Sequence, residues 1–385
     1  MIIEKIETFI LNDKLSKSFF FSQWEYSERC ICVVKITTKD GHFGWGEGYG
    51  PAHILNEGIK FLAPLVIGKN PLENEVVWNT MYRKTLDYAR RGILVASMSA
   101  IDIALWDLKG QILGLPISML LGGAHRTHVK PYATGLYFTD KLNPTKDFEE
   151  EIALYKKQGF KALKMKVGLG IEEDYKNVKL VRELLGEDIQ LMIDSNHAYN
   201  LREAVILSQK IEKFNISWFE EPVSPEYYKQ YNELRSKTNI PIAGGECEYL
   251  RFGFHQLLRN NSVDILQPDI CSSGGITEAK RIATLASTYG VDVVPHTWGT
   301  SIGIHVALHF IANLECMPGR MKSPDFLMEY DQTENRLRDH LTFPKVEMKN
   351  GMIKIPTSPG LGLEVNEEIL LEYSIDNKKL NGLYT

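Results

Sequence analysis

From about residue 126 onward the chain repeats one pattern: a short apolar run, a few polar or glycine residues, a stretch of amphipathic helical period, a turn, and another apolar run. Short apolar runs bounded by turn residues read as strands, and the stretches between them as helices. The predicted strands are 132–137, 162–166, 190–194, 217–220, 241–246, 264–269, 291–296 and 326–329. Eight strands separated by helices predict a closed parallel barrel. An open doubly wound sheet is the competing architecture, but its G-x-G-x-x-G fingerprint between a strand and a helix is missing.

The first 115 or so residues follow another rule. A β-branched run (Ile31, Val33, Val34, Ile36, Thr37) turns at Lys39-Asp40-Gly41 into residues 42–47, which predicts an antiparallel meander. The glycine-rich stretch 44–50 reads as a flexible loop over the site. From residue 64 to 114 the period becomes helical, with Met98, Ile101, Leu105 and Leu108 on one face of 96–109 and Gly110 as its stop. This is an α+β unit. At 385 residues the chain exceeds the roughly 250 to 300 residues that one core spans, so two domains are expected.

Composition narrows the functional classes. Hydrophobic residues make up 44% and charged residues 24%, ordinary for a globular protein and unlike a disordered one. The net charge of -5, with both signs mixed along the chain, leaves no basic stripe for nucleic acid. No apolar run reaches the roughly 20 residues of a membrane helix, and the first residues lack the pattern of a signal peptide, so a cytoplasmic protein is expected. Cys30, Cys32, Cys247, Cys271 and Cys316 are odd in number and scattered, which suits reduced thiols; Cys30 and Cys32 have no second pair to make a zinc site.

Six of the predicted strands end on residues that carry chemistry: Lys166, Asp194, Glu220, Glu246, Asp269 and His296, about 23 to 28 residues apart. Barrel active sites form at the carboxyl ends of strands, so these side chains are expected at one mouth. Asp194, Glu220 and Glu246 would repel one another unless they hold a hard cation, and Mg²⁺ favours such oxygen ligands. A lone acid at a strand end is more simply a solvated one; three in register are not. Glu221 and Glu248 are close neighbours of the proposed ligands, with Glu221 turned away by strand alternation and Glu248 harder to exclude.

Lys164 and Lys166 share one face of their strand, and the positive charge of Lys164 and the metal is expected to lower the pKa of Lys166 toward that of a general base. His296 after Val293-Val294-Pro295, with Asp269 ending the preceding strand, reads as a second base and its orienting acid. Glu329 closes the ring as a protonated acid able to donate to a substrate carboxylate; a structural salt bridge is the plainer alternative. His305 and His309 lack the glutamate of H-E-x-x-H and read as a packed helix, and no G-x-S-x-G occurs. Trp24, Tyr49, Arg91 and Trp298 are candidate substrate contacts, each with an alternative as a packing or surface residue.

These residues together resemble the enolase superfamily and, within it, the mandelate racemase group, with its K-x-K on the second strand and its His-Asp dyad on the seventh and sixth. The resemblance runs over nearly the whole chain and includes Ala100-Ile101-Asp102-Ile103-Ala104-Leu105-Trp106-Asp107, Trp218-Phe219-Glu220-Glu221-Pro222 and Asp264-Ile265-Leu266-Gln267-Pro268-Asp269. It implies a modified (β/α)7β barrel (126–355), a cap (1–125), and a C-terminal segment (356–385) returning to the cap. It also implies dimers or octamers, Asn196 as a site position, and a small carboxylate substrate. Around His296-Thr297-Trp298-Gly299-Thr300, Arg91-Gly92, Met328-Glu329-Tyr330-Asp331 and Tyr132-Ala133-Thr134-Gly135 the sequence is similar to D-galactarolactone cycloisomerases. The expected reaction is removal of the proton next to a carboxylate of a sugar acid or lactone, then β-elimination by ring opening or dehydration. A racemase using the same two bases and a catalytically silent barrel are the alternatives.

Overall fold

The computed structural model describes residues 1–375 except 141–142, 144, 317–318, 320 and 322–324. The last ten residues of the expected C-terminal segment lie outside it.

The chain opens with a three-stranded antiparallel sheet, β1 (Ile3–Phe21), β2 (Trp24–Thr38) and β3 (Phe43–Gly48), followed by helices α1 (Ala52–Val66), α2 (Asn74–Lys84), α3 (Ile93–Leu113) and the single turn α4 (Ile117–Leu120). The glycine-rich stretch is therefore mostly strand, with only Tyr49 and Gly50 beyond it. Its glycines let β3 lie against α3. A Cβ on Gly44 would stand 2.4 Å from the Ala104 carbonyl, and one on Gly46 2.2 Å from the Ala100 carbonyl. Gly110 does not stop α3 either; it sits inside the helix, where a Cβ would meet Gly360 at 2.4 Å. The stop is Gly114, whose φ of +67° supplies the left-handed cap.

Next come β4 (His128–Gly135), α5 (Phe148–Gln158), β5 (Ala162–Lys166), α6 (Ile171–Leu185), β6 (Gln190–Asp194), α7 (Leu201–Ile211), β7 (Ile216–Glu220), α8 (Tyr228–Arg235) and β8 (Ile242–Gly244). They are followed by α9 (Leu250–Arg259), β9 (Ile265–Leu266), α10 (Gly275–Tyr289), β10 (Asp292–Val293), α11 (Ser301–Asn313) and β11 (Leu327–Asp331). These eight strands pair in parallel in the order β11-β4-β5-β6-β7-β8-β9-β10. Tyr132, Ala162, Met192, Trp218, Ala243, Ile265, Val294 and Leu327, one from each strand or its end, pack into a single apolar cluster. A sheet can share one inner cluster among all its strands only by curling round it, so this is a barrel with helices outside.

The later strands are shorter than the apolar runs predict. Gly245, at φ +133°, breaks β8, and Pro295, without an N–H, follows close on β10. Glu246, Asp269 and His296 accordingly lie in loops beyond the strands. After β11 come α12 (Arg336–His340), β12 (Thr342–Phe343), β13 (Met348–Lys349), β14 (Met352–Lys354), β15 (Glu364–Val365) and α13 (Glu367–Tyr373). β14 pairs with the start of β4, and the chain then runs back to the first sheet, where the Ile375 amide donates to Ile10 (2.8 Å). No helix among the described residues is long and apolar enough to cross a membrane.

Candidate active site

The site is one pleat above the apolar cluster. Side chains two residues apart on a strand share a face. Two residues after Tyr132, Ala162, Met192, Trp218, Ile265, Val294 and Leu327 stand Thr134, Lys164, Asp194, Glu220, Gln267, His296 and Glu329. The barrel changes from apolar to polar in that one step, and every one of these groups is buried.

Carboxylate oxygens of Asp194, Glu220 and Glu246 all lie within 4.8 Å of one another. Lys166 Nζ is 2.5 Å from Asp194 and donates to Asn196 Oδ1 at 2.7 Å. Lys164 Nζ reaches Glu220, Glu329 at 2.8 Å and Asp194 at 3.6 Å. Gln267 and Trp218 donate to the other Glu220 oxygen at 2.6 and 3.0 Å. Burial would raise the Asp194 pKa, but Lys166 and Lys164 hold it at about 2. Glu220, under burial and three neighbouring carboxylates, is pushed up to about 7. This crowding of hard oxygens, which two lysines relieve only in part, fits a divalent cation such as Mg²⁺.

The second group stands across the mouth. His296 Nδ1 is 2.6 Å from Asp269 Oδ2, and Asp269 in turn accepts from the Cys271 amide (2.7 Å). His296 Nε2 points toward Glu246 (3.6 Å) and Glu329 (3.9 Å). Burial would lower the imidazole pKa, but Glu246, Glu329 and Asp269 raise it to about 10. Glu329 departs from expectation. Burial would favour its neutral acid, yet Lys164 and His296 hold it at about 2, and Thr134 and the Thr297 amide also donate to it (2.6 and 3.0 Å). It is an anionic acceptor here. Lys164, too, has its charge compensated: burial works against the ammonium, but Glu220 and Glu329 overrule it and raise its pKa well above the usual range.

A cavity of about 570 Å³ opens over these groups, a size suited to a small metabolite. Lys164, Lys166, Asn196, Glu246, His296 and Glu329 line it, as do Trp24, Tyr49 and Trp298. Arg91 does not. Its guanidinium donates to Glu248 (2.7 Å) and Tyr228 (2.5 Å), tying the loop before α3 to the loop after β8. Glu248 is thereby paired away from the carboxylate triad. Glu221 faces His197 (3.1 Å), and His305 and His309 are packed in α11 against the Ser301 and Leu361 carbonyls.

Sequence reasoning passed over Gln267, Trp218 and Thr134, which hold the carboxylates, and Phe21, Tyr26, Arg29, Tyr137 and His197, which line the cavity. The first three were discoverable from pleat alternation alone. The hairpin residues had no comparable signal, because nothing local says that the β1–β2 tip bends over a distant barrel.

Residues 5–122 match the N-terminal domain of the mandelate racemase / muconate lactonizing enzymes, and residues 147–369 the enolase C-terminal domain-like family. The chain belongs to the mandelate racemase / muconate lactonizing enzyme family, and is an enolase-superfamily enzyme. It is 41% identical to the D-galactarolactone cycloisomerase of Agrobacterium fabrum over 97% of this chain and 99% of that protein. It is also similar to the crystal structure of the 3,6-anhydro-D-galactonate cycloisomerase from Zobellia galactanivorans, at 52% identity and a TM-score of 0.89 over 98% of this chain and 100% of that one. A racemase from Streptomyces coelicolor A3(2), solved with bound magnesium, superimposes with a TM-score of 0.86 at 25% identity over 97% and 100% of the two chains.

Proposed function

We propose that this enzyme is a magnesium-dependent cycloisomerase that opens the ether ring of a 3,6-anhydro sugar acid, giving a 2-keto-3-deoxy acid. The observation that carries the reading is the pairing, around one cavity, of Lys166 with the Asp269-oriented His296 beside a three-carboxylate cradle. The two cycloisomerase relatives support ring opening over simple racemisation.

Asp194, Glu220 and Glu246 would hold the Mg²⁺, which supplies Lewis-acid stabilisation of the negative charge that builds on the substrate carboxylate. Lys166 and His296 handle the proton: one takes it from C2, the other serves as acid from the opposite flank. The C2 electron pair forms the C2–C3 double bond, the C3–O bond of the ring breaks, and its oxygen leaves as the C6 hydroxyl once protonated. The resulting enol takes a proton at C3 and becomes the ketone, so the reaction is an isomerisation with no net loss of atoms. Lys164 adds positive charge at the carboxylate end, and Asp269 keeps the imidazole oriented.

The test is incubation with Mg²⁺ and 3,6-anhydrogalactonate, galactarolactone and open-chain sugar acids in D₂O, followed by NMR. The expected product is a 2-keto-3-deoxy acid carrying deuterium at C3, lost in Lys166→Ala and His296→Asn. Exchange at C2 without ring opening would move the enzyme to the racemases; water loss from an open-chain acid would make it a dehydratase.

A further inference from the structure

The cavity has two unlike parts. Its floor is the charged barrel mouth. Rising from it is a wall built from Phe21, Trp24 and Tyr26 at the β1–β2 tip, Tyr137 after β4 and Trp298 after β10, with Lys166 Nζ at its foot 4.7 Å from the centre of the Phe21 ring. The Phe21 and Tyr26 rings stack at 5.5 Å and 10°, and Tyr26 meets Trp298 edge to face at 4.9 Å. Aromatic faces of this kind suit the C–H surface of a compact ring.

Charge on this wall is as informative as its shape. Among the described lining residues, the lysine and arginine side chains are Arg29, Lys164 and Lys166. Both lysines are engaged with the carboxylates of the floor. Arg29 is buried, donates to Asp331 (2.8 Å) and Thr333, and lies 3.8 Å from the centre of the Trp298 ring; its Nε is buried and without a hydrogen-bond partner, so it is turned away from the open cavity. Of the lining imidazoles, His296 is held by Asp269 (2.6 Å) and His197 by Glu221 (3.1 Å), which leaves His53, whose Nδ1 is buried without a hydrogen-bond partner. Glu25 and Glu28, from the same hairpin, add negative charge.

We infer that this wall is a subsite for an uncharged, ring-bearing end of the substrate, so that the enzyme takes sugar monocarboxylates and rejects dicarboxylates. A second carboxylate would lose water against aromatic rings, near Glu25 and Glu28, where the guanidinium and both ammonium groups of the described lining are already paired with carboxylates of the protein. A cyclic ether brings only C–H groups and neutral oxygens. The inference rests on the sugar-acid reading above and sharpens it, since galactarolactone keeps a second carboxylate and 3,6-anhydrogalactonate does not.

The experiment uses galactonate and galactarate, which differ only in a hydroxymethyl or a carboxylate at C6, together with 3,6-anhydrogalactonate. Binding to Lys166→Ala is measured by calorimetry with Mg²⁺, where turnover does not intrude. Both monocarboxylates are expected to bind about 30-fold or more tightly than galactarate, the scale of an uncompensated charge in such a site. Trp24→Arg, at a half-exposed position, places a guanidinium at the rim and is expected to narrow that gap about tenfold. Equal or tighter galactarate binding overturns the inference, as does an unchanged gap in a folded Trp24→Arg. Absence of binding by all three acids overturns it together with the proposed function. A preserved preference in a wild-type enzyme that turns over none of them overturns the proposed reaction alone.

Discussion

The two halves of the barrel reach the same mouth by different means. From β5 to β7, Lys164, Lys166, Asp194 and Glu220 sit on strands, and the register pairs Lys166 with Asp194 and Asp194 with Glu220 directly. From β8 to β10 the strands are two or three residues long, and Glu246, Asp269 and His296 stand on loops beyond them. What ladders do for the first half is done for the second by side chains from the cap. Asp102 on α3 accepts from the Thr277 amide (2.9 Å) and hydroxyl (2.6 Å), and Glu47 on β3 accepts from the Thr300 amide (3.1 Å) and hydroxyl. One half of the site belongs to the barrel, and the other is a joint product of barrel and cap.

The largest effects should fall on the two groups proposed to handle the proton, and equally in both halves. Lys166→Ala and His296→Asn are each expected to lower kcat by about 10³-fold or more, measured by keto-acid formation, with the carboxylate triad intact. The difference between the halves should appear one residue further out. Asp269→Asn removes the anchor of a loop-borne group and is expected to cost about 10²-fold in kcat, whereas Asn196→Ala, beside a ladder-held lysine, should cost about tenfold or less. Equal losses would collapse the distinction.

The cap's buried acids offer a stability test. Asp102→Ala leaves the Thr277 groups without their acceptor and is expected to destabilise the protein by about 2 kcal/mol in denaturant unfolding. Burial raises the Glu47 and Asp102 carboxyls to about 7 and Asp107 to about 6, against ordinary values near 4. Their folded forms bind protons more readily than the unfolded chain. That contribution is complete below about pH 4 and is lost as pH rises through 6 to 7, so the Tm of the metal-free protein should fall between pH 5 and pH 8. Asp102→Asn should flatten the slope. Smallest of all, Arg91→Ala, at the surface end of the cap's tie to Glu248, should cost about 1 kcal/mol or less.

The same contrast explains what the sequence disclosed. In the first half the apolar runs coincide with strands, Ala162–Lys166 and Gln190–Asp194 ending where they were expected, because a pleat with both faces buried leaves an unbroken signature. In the second half the runs 241–246, 264–269 and 291–296 extend past their ladders, since apolar character persists in a buried loop while hydrogen-bond pairing does not. The glycines of 44–50 misled for a related reason: close packing against α3 and freedom in a loop ask for the same residue. The charge state of Glu329 was illegible because it depends on Lys164 and His296, neighbours brought near only by closure of the barrel. Arg91 was drawn to a partner, Glu248, that no local pattern announces.

The hairpin that forms the aromatic wall is fastened to the barrel at several points: the Phe20 and Phe138 amides and carbonyls exchange bonds of 2.6 and 3.0 Å, Arg29 pairs with the buried Asp331 (2.8 Å), and the Phe21 and Tyr26 rings pack on Tyr137 and Trp298. Lifting the tip would break all of these together, a buried ion pair among them, so the wall stays in place as substrate arrives and product leaves.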